Sequence, residues 1–334
     1  MGLLGSPAVK DGRRNWWRRI LPWAISIAAL VYVFGFVTDW SALVTAMQGA
    51  DVPLFVGIVV IDKVAFFVAW GLLQALAVRR FVGAVPYSQV IAIRGGSELL
   101  RAANGNIADA AIVLGLMQIT RASVVSILAA STLPYLGHIL VMLVQATLAA
   151  PLLAGGIAAN RDVAVAVAAG WALTAGGFVL IRLAPSLGVL ARSPVGSWLS
   201  KIDTRVLLPY FSWFLLLAVV DIGFQWFATR AFGIPIPWEA LAARIPILYV
   251  VLAVPSLGGF GPRELTWAYL FAEYASRDAL IAYAFATNAI FLALHIVIGA
   301  IFLPRALELI DRIRRARASG ETLPEPLLHD PVDP

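Results

Sequence analysis

Apolar and polar positions along this chain fall into long blocks, not into the short period of a soluble helix or strand. Apolar runs of roughly twenty residues, the length that crosses a bilayer, cover about 20–38, 53–78, 121–150, 163–181, 206–229 and 279–303. A weaker stretch, Pro86 to Thr120, carries Arg94, Glu98, Arg101 and Asp109 and breaks at Asn104-Gly105-Asn106. Its halves, about 87–103 and 107–119, are too short or too charged to span, which predicts a helical hairpin that dips into the bilayer and returns. The next span is expected to open at Arg121. A second hairpin is predicted over 238–274, broken by Pro255-Ser256-Leu257-Gly258-Gly259-Phe260-Gly261-Pro262-Arg263-Glu264. The pattern predicts an all-α polytopic membrane protein with about six full spans plus two re-entrant helical hairpins.

Composition agrees with that class. Of the 334 residues, 61% are hydrophobic and 13% charged, and the mean hydropathy is +0.87, far from the soluble average. Cysteine is absent, which excludes disulfides, thiolate catalysis and Cys-ligated metals. The net charge of +6 does not point to nucleic acid, because the basic residues sit in short segments flanking apolar runs. Arg13-Arg14-Asn15-Trp16-Trp17-Arg18-Arg19 precedes the first run, and Arg305, Arg312, Arg314, Arg315 and Arg317 follow the last. The positive-inside tendency then places both termini in the cytoplasm. Arg161, Arg230 and Arg277 fall on the outer side of that scheme. The expected organisation is a basic N-terminus (1–19), a membrane domain (20–315) and a disordered cytoplasmic tail (316–334) rich in Pro, Glu and Asp.

The layout suggests an internal repeat, with halves of about 53–150 and 206–304. Asp62 follows Val-Val-Ile and Asp221 follows Ala-Val-Val, each inside a span. Each span precedes a Pro-led helix, a Gly-containing turn, an acidic residue and a further span. His138 lies 17 residues past Arg121, and His295 lies 17 past Asp278. An odd number of crossings between the halves would set them upside down relative to each other, a common transporter plan.

The run Pro255 to Glu264 resembles the Pro-x-x-x-Gly-Gly-x-Gly-x-Arg-Glu signature of the flippase-like membrane domain of bacterial lysylphosphatidylglycerol synthases. The stretch Arg94 to Asp109 is similar to that family's first loop, near Asn-x-x-Pro-x-x-x-Gly-Asp, although the proline is missing here and Ala108 stands in place of the glycine. The resemblance covers roughly 15–315. It implies a stand-alone flippase-like domain in the bacterial plasma (inner) membrane, without the synthase's soluble aminoacyl-transferase domain. A lipid-modifying or glycosyltransferase enzyme is the partner such a domain would have, and the substrate's identity does not carry over.

The candidate substrate-binding residues are Arg263, Glu264, Gly258, Gly259, Gly261, Asp109, Arg101, Arg94 and Arg244. Free backbone N–H groups at the helix start near Pro262, together with Arg263, suit a lipid phosphate. Glu264 would orient Arg263, bind a cationic headgroup or carry a proton. The plainer alternative is a well-capped helix with an interfacial ion pair. For Asp109, Glu98 and Arg101 the alternative is a solvated cytoplasmic face, and for Arg94 and Arg244 it is snorkelling. Asp62, Asp221, His138 and His295 are candidates for ion or proton coupling, since ionisable groups inside spans are costly and face a cavity or partner. The alternatives are a structural pair for the aspartates and a backbone-bonded ring for each histidine. Asp62 and Lys63, adjacent on a helix, diverge by about 100° and should not pair directly.

No dinucleotide fingerprint, Walker sequence, His-Glu-x-x-His or nucleophile elbow occurs, so nothing marks a soluble enzyme, cofactor or metal site. The expected function is lipid translocation between leaflets, through a polar groove lined by Asp62, Asp109, Asp221, Arg263 and Glu264. The alternatives are an intramembrane enzyme or accessory subunit acting on polyprenyl-linked glycan or lipid, and an ion-coupled small-solute transporter.

Overall fold

A computed structural model describes residues 45, 48–153, 155–156, 160–183, 204–252 and 260–318. Among them the chain is helical throughout, with no strand, in nine α-helices: α1 (Val52–Phe81), α2 (Tyr87–Arg101), α3 (Gly105–Thr120), α4 (Val124–Ala149), α5 (Arg161–Leu183), α6 (Thr204–Ala231), α7 (Trp238–Leu252), α8 (Pro262–Leu270) and α9 (Arg277–Ala318). Five of these, α1, α4, α5, α6 and α9, are long and apolar enough to cross a membrane. They correspond to five of the six predicted spans. The remaining one, 20–38, lies outside the described residues, as do Gly258 and Gly259. Large apolar side chains point outward from the spans, with Leu173 78% and Val219 67% exposed, as expected of a surface meeting hydrocarbon instead of water.

The helix starts follow local chemistry. Asp51 accepts the Leu54 amide at 3.2 Å to cap α1, and Pro53 occupies an early position where its missing N–H costs nothing. Asn104 accepts the amides of Asn106 and Ile107 through Oδ1, so the turn between α2 and α3 also caps α3. Arg121 does not open the next span. It ends α3 in the left-handed region, with φ 59°, and Ser123 caps α4 by accepting the Ser126 amide at 3.2 Å.

The last helix departs further from expectation. It does not stop at Leu303 but continues through Pro304 to Ala318, 42 residues in all. Proline removes one intrahelical bond, yet Ala306, Leu309 and Ile313 recur at helical spacing and are buried against α2 and α3. That packing carries the helix on. The helix thus takes in the first three residues of the expected tail, and the remainder lies outside the described residues.

Besides a cluster joining Leu73 of α1, Leu133 of α4 and Phe214 of α6, two apolar cores lie toward opposite ends of α1, each built around one pair of short helices. One gathers Phe55 and Val59 of α1, Trp267 of α8 and Leu280 to Ala284 of α9 with much of α7. The other gathers Ala75 and Val78 of α1, Ile93 of α2, Ile112 of α3 and Ile313 of α9. Both α1 and α9 thread the two cores. The segments of these helices between the cores carry Asp62 and Lys63 on α1, and Asn288, Phe291 and His295 on α9. Contact between α2 and α9 is extensive and close: a Cβ on Gly299 would fall 2.5 Å from the Leu99 amide nitrogen, and one on Gly96 would lie 2.9 Å from Ala306 Cβ.

Candidate functional site

Helix α2 turns its polar face inward. Glu98 is only 2% exposed, so it is not part of a solvated face. Its Oε1 accepts Arg101 Nε at 3.2 Å, and its Oε2 meets Nδ1 of His295 on α9 at 2.5 Å. Arg101 Nη2 continues to Asp109 Oδ1 on α3 at 2.6 Å, and Lys63 of α1 stands within electrostatic reach of Glu98. One turn earlier on α2, Arg94 is buried, donates to Gln74 Oε1 at 3.1 Å and stacks over Trp70, 5.6 Å from its ring centre. Its Nε has no partner. Three of the residues singled out in sequence, Arg101, Asp109 and His295, thus join through Glu98 into one network across α2, α3 and α9, with Arg94 bound to Gln74 of α1 beside it. Snorkelling does not describe Arg94, which points into protein.

A second group forms around α8. Gly261 has φ 91°, a conformation in which a side chain would clash, so only glycine is comfortable there. The turn places its amide 2.6 Å from Glu264 Oε2, a charge-assisted bond at the helix start. Glu264 is fully buried, at 0% exposure. Its Oε1 lies near Asn288 without reaching hydrogen-bonding geometry, and Asn288 Nδ2 is unpartnered too. Arg263 Cζ sits 5.2 Å from the centre of the Phe291 ring, with its Nε unpartnered. Lys63 Nζ lies 5.3 Å from the centre of the same ring. Two cations from distant parts of the chain therefore share one aromatic side chain of α9.

Asp62 and Lys63 do diverge. Lys63 faces Glu98 and Phe291, whereas Asp62 turns toward Asp221 of α6 and Arg263 of α8. Asp221 Oδ2 accepts the Tyr249 hydroxyl of α7 at 2.9 Å. Oδ1 of each aspartate lacks a hydrogen-bond partner. The recess beside Asp62, lined also by Val59, Gln225, Thr287 and Phe291, has no room for a water-sized sphere. Asp109 belongs to the α2 network, apart from Asp62, Asp221, Arg263 and Glu264.

The two histidines are not equivalent. His295 meets a carboxylate, while His138 sits among Trp70, Phe214 and Tyr249 rings, 5.6, 5.0 and 5.8 Å away between centres, and its Nδ1 is unpartnered. Arg244 lies away from both groups. Its guanidinium donates to Leu270 O at 2.7 Å, Glu273 Oε1 at 2.9 Å and Asn160 Oδ1 at 2.9 Å, tying α7 to the loop after α8 and to the start of α5. The neighbouring Tyr274 hydroxyl, with help from Arg244, holds the Glu273 carboxyl below the usual carboxylate range. Burial and Glu273 push Tyr274 up to about 12.

Sequence reasoning missed Gln74, Asn160, Gln225, Tyr249, Asn288 and Phe291. Polar residues inside apolar runs were the available signal for the amides, whereas Phe291 carried none. Among the described residues no three His, Asp or Glu side chains gather as metal ligands would. No family model, curated protein or solved structure matches the chain.

Proposed function

We propose that this protein is an integral membrane lipid translocator whose headgroup phosphate is held by Arg263 and Lys63. The observation carrying the reading is the pair of cations that share the Phe291 ring, 5.2 and 5.3 Å from its centre. One of them has an unpartnered guanidinium nitrogen. Neither cation forms a direct ion pair with a carboxylate among the described residues. Partly buried cations without a direct ion pair suit a ligand that brings its own negative charge. Arg263 supplies a planar fork for a phosphodiester and Lys63 a compact charge beside it.

In this reading α2–α3 and α7–α8 are hairpins that enter the bilayer from opposite faces, and the two halves form an inverted repeat. Each half runs in the same order, a long helix, two short ones and a long one, which supports the repeat. Basic residues beside the spans support a bacterial inner-membrane setting with cytoplasmic termini. The acyl chains stay in lipid while the site lowers the penalty for moving a charged headgroup through hydrocarbon.

The test is a dithionite-quenching assay with fluorescent phosphatidylglycerol in proteoliposomes. A lost charge-assisted bond is worth about 1.5–3 kcal/mol, so Arg263→Ala should slow lipid exchange about ten- to hundredfold. An Arg263→Ala, Lys63→Gln double variant that moves lipid at the wild-type rate would refute the assignment.

A further inference from the structure

The headgroup site leaves two carboxylates unexplained. Asp62 on α1 and Asp221 on α6 are 6% and 4% exposed, and each has an Oδ1 with no hydrogen-bond partner. A buried acceptor left unmade is expensive, and more so when charged. The groups facing the pair come from four further places: Lys63 beside Asp62, Tyr249 on α7, Arg263 on α8 and Tyr283 on α9. Tyr249 donates to Asp221 Oδ2 at 2.9 Å, while Tyr283 spends its hydroxyl on Gln225 Oε1 at 2.8 Å. Only Lys63 and Arg263 offer positive charge.

Those are the same two cations that the proposed phosphate requires. They cannot neutralise the aspartates and a phosphodiester at once. We infer that Asp62 and Asp221 form a one-proton site that fills when a phosphodiester headgroup draws Lys63 and Arg263 away. The inference rests on the headgroup reading above. A proton from bulk water bonds to Oδ1 of one aspartate, taking the pair from two negative charges to one. No other bond forms or breaks. The new O–H turns one of the two unpartnered acceptors into a donor. The recess bordering Asp62 holds no water-sized sphere, which favours a proton over a hydrated cation. A metal cation would have to arrive stripped of its hydration shell, whereas a proton needs no volume. Linkage makes the coupling reciprocal, so headgroup binding strengthens as pH falls.

Two measurements on the purified full chain test this. Short-chain phosphatidylglycerol is the probe, because its phosphodiester does not titrate near neutral pH. Added to weakly buffered protein, it should drive uptake of about one proton per molecule bound, and its affinity should rise by up to about tenfold per unit fall in pH. Asp62→Asn and Asp221→Asn should take up none. The second measurement needs no lipid. An infrared carboxylic C=O band should grow in on acidification, vanish in Asp62→Asn, and appear at higher pH in Lys63→Gln and Arg263→Gln, which mimic withdrawal of the cations. If the band keeps its wild-type pH in both cation variants, the linkage is overturned whether or not lipid binds. A shifted band without probe binding would uphold the linkage and remove the headgroup reading instead.

Discussion

Gly299 offers the sharpest check on how the bundle is held together. It lies on α9 where that helix meets the backbone of α2, and a Cβ there would stand 2.5 Å from Leu99 N, 2.7 Å from its Cβ and 2.8 Å from its Cα. These atoms cannot swing aside as a long side chain could, so Gly299→Ala must push the helices apart. Overpacking of this kind costs about 1–3 kcal/mol. Against it stands the gain in helix propensity, about 0.8–1 kcal/mol for Gly→Ala. Gly176 on α5 is the control, because a Cβ there meets nothing within 4 Å and the propensity gain is the same. The difference between the two variants isolates the steric part. Unfolding in mixed micelles by SDS titration, followed by tryptophan fluorescence, should place Gly299→Ala about 1–3 kcal/mol below Gly176→Ala. Equal stabilities would refute the close approach. Glu98 adjoins Leu99, and His295 lies one turn before Gly299, so the same separation should disturb the Glu98–His295 contact, read from the His295 imidazole nitrogen chemical shift.

Two further outcomes follow from the site description. Arg244→Ala leaves the Leu270 carbonyl without its guanidinium donor and removes the tie to Asn160, and should cost about 1–3 kcal/mol in the same titration; a loss below about 1 kcal/mol, the scale of an exposed ion pair, would mean that only the half-exposed Glu273 contact mattered. Because Glu273 has a lowered folded value, its contribution is present above the ordinary 4.5 and lost as pH falls through the lowered value, so Glu273→Gln should flatten stability in that acidic window. Glu264→Gln keeps an acceptor for the Gly261 amide whereas Glu264→Ala does not, so the alanine variant should be less stable by about 1.5–3 kcal/mol, and equal midpoints would show that this bond does not hold the turn.

The helices were legible because their signals are local. Apolar run length marked five spans, Pro86 and Pro237 marked the starts of α2 and α7, and Asn104 marked the break before α3. Partnerships were not legible, since they join residues far apart in the chain. Glu98 reads as a solvated charge until its bond to His295, 197 residues away, is seen. Gly95, Gly96 and Gly299 read as weak helix formers until α2 and α9 are found in contact. Equal spacing in sequence did not give equal surroundings: His138 and His295 lie 17 residues past Arg121 and Asp278, yet one sits among rings and the other on a carboxylate. The overrun at Pro304 was hidden because a proline signals a helix end locally, and only burial of Ala306, Leu309 and Ile313 outweighs it.

The 42 residues of α9 make a rod about 63 Å long, roughly twice the ~30 Å hydrocarbon layer. Its far portion, with Arg305, Glu308, Asp311, Arg312, Arg314 and Arg315, is a charged handle braced on α2 and α3 through Ala306, Leu309 and Ile313. Pro304 is where such a handle flexes. A partner or charged surface gripping it would tilt or slide Phe291 and His295 together, moving the ring shared by Lys63 and Arg263 and the Glu98 contact in one stroke.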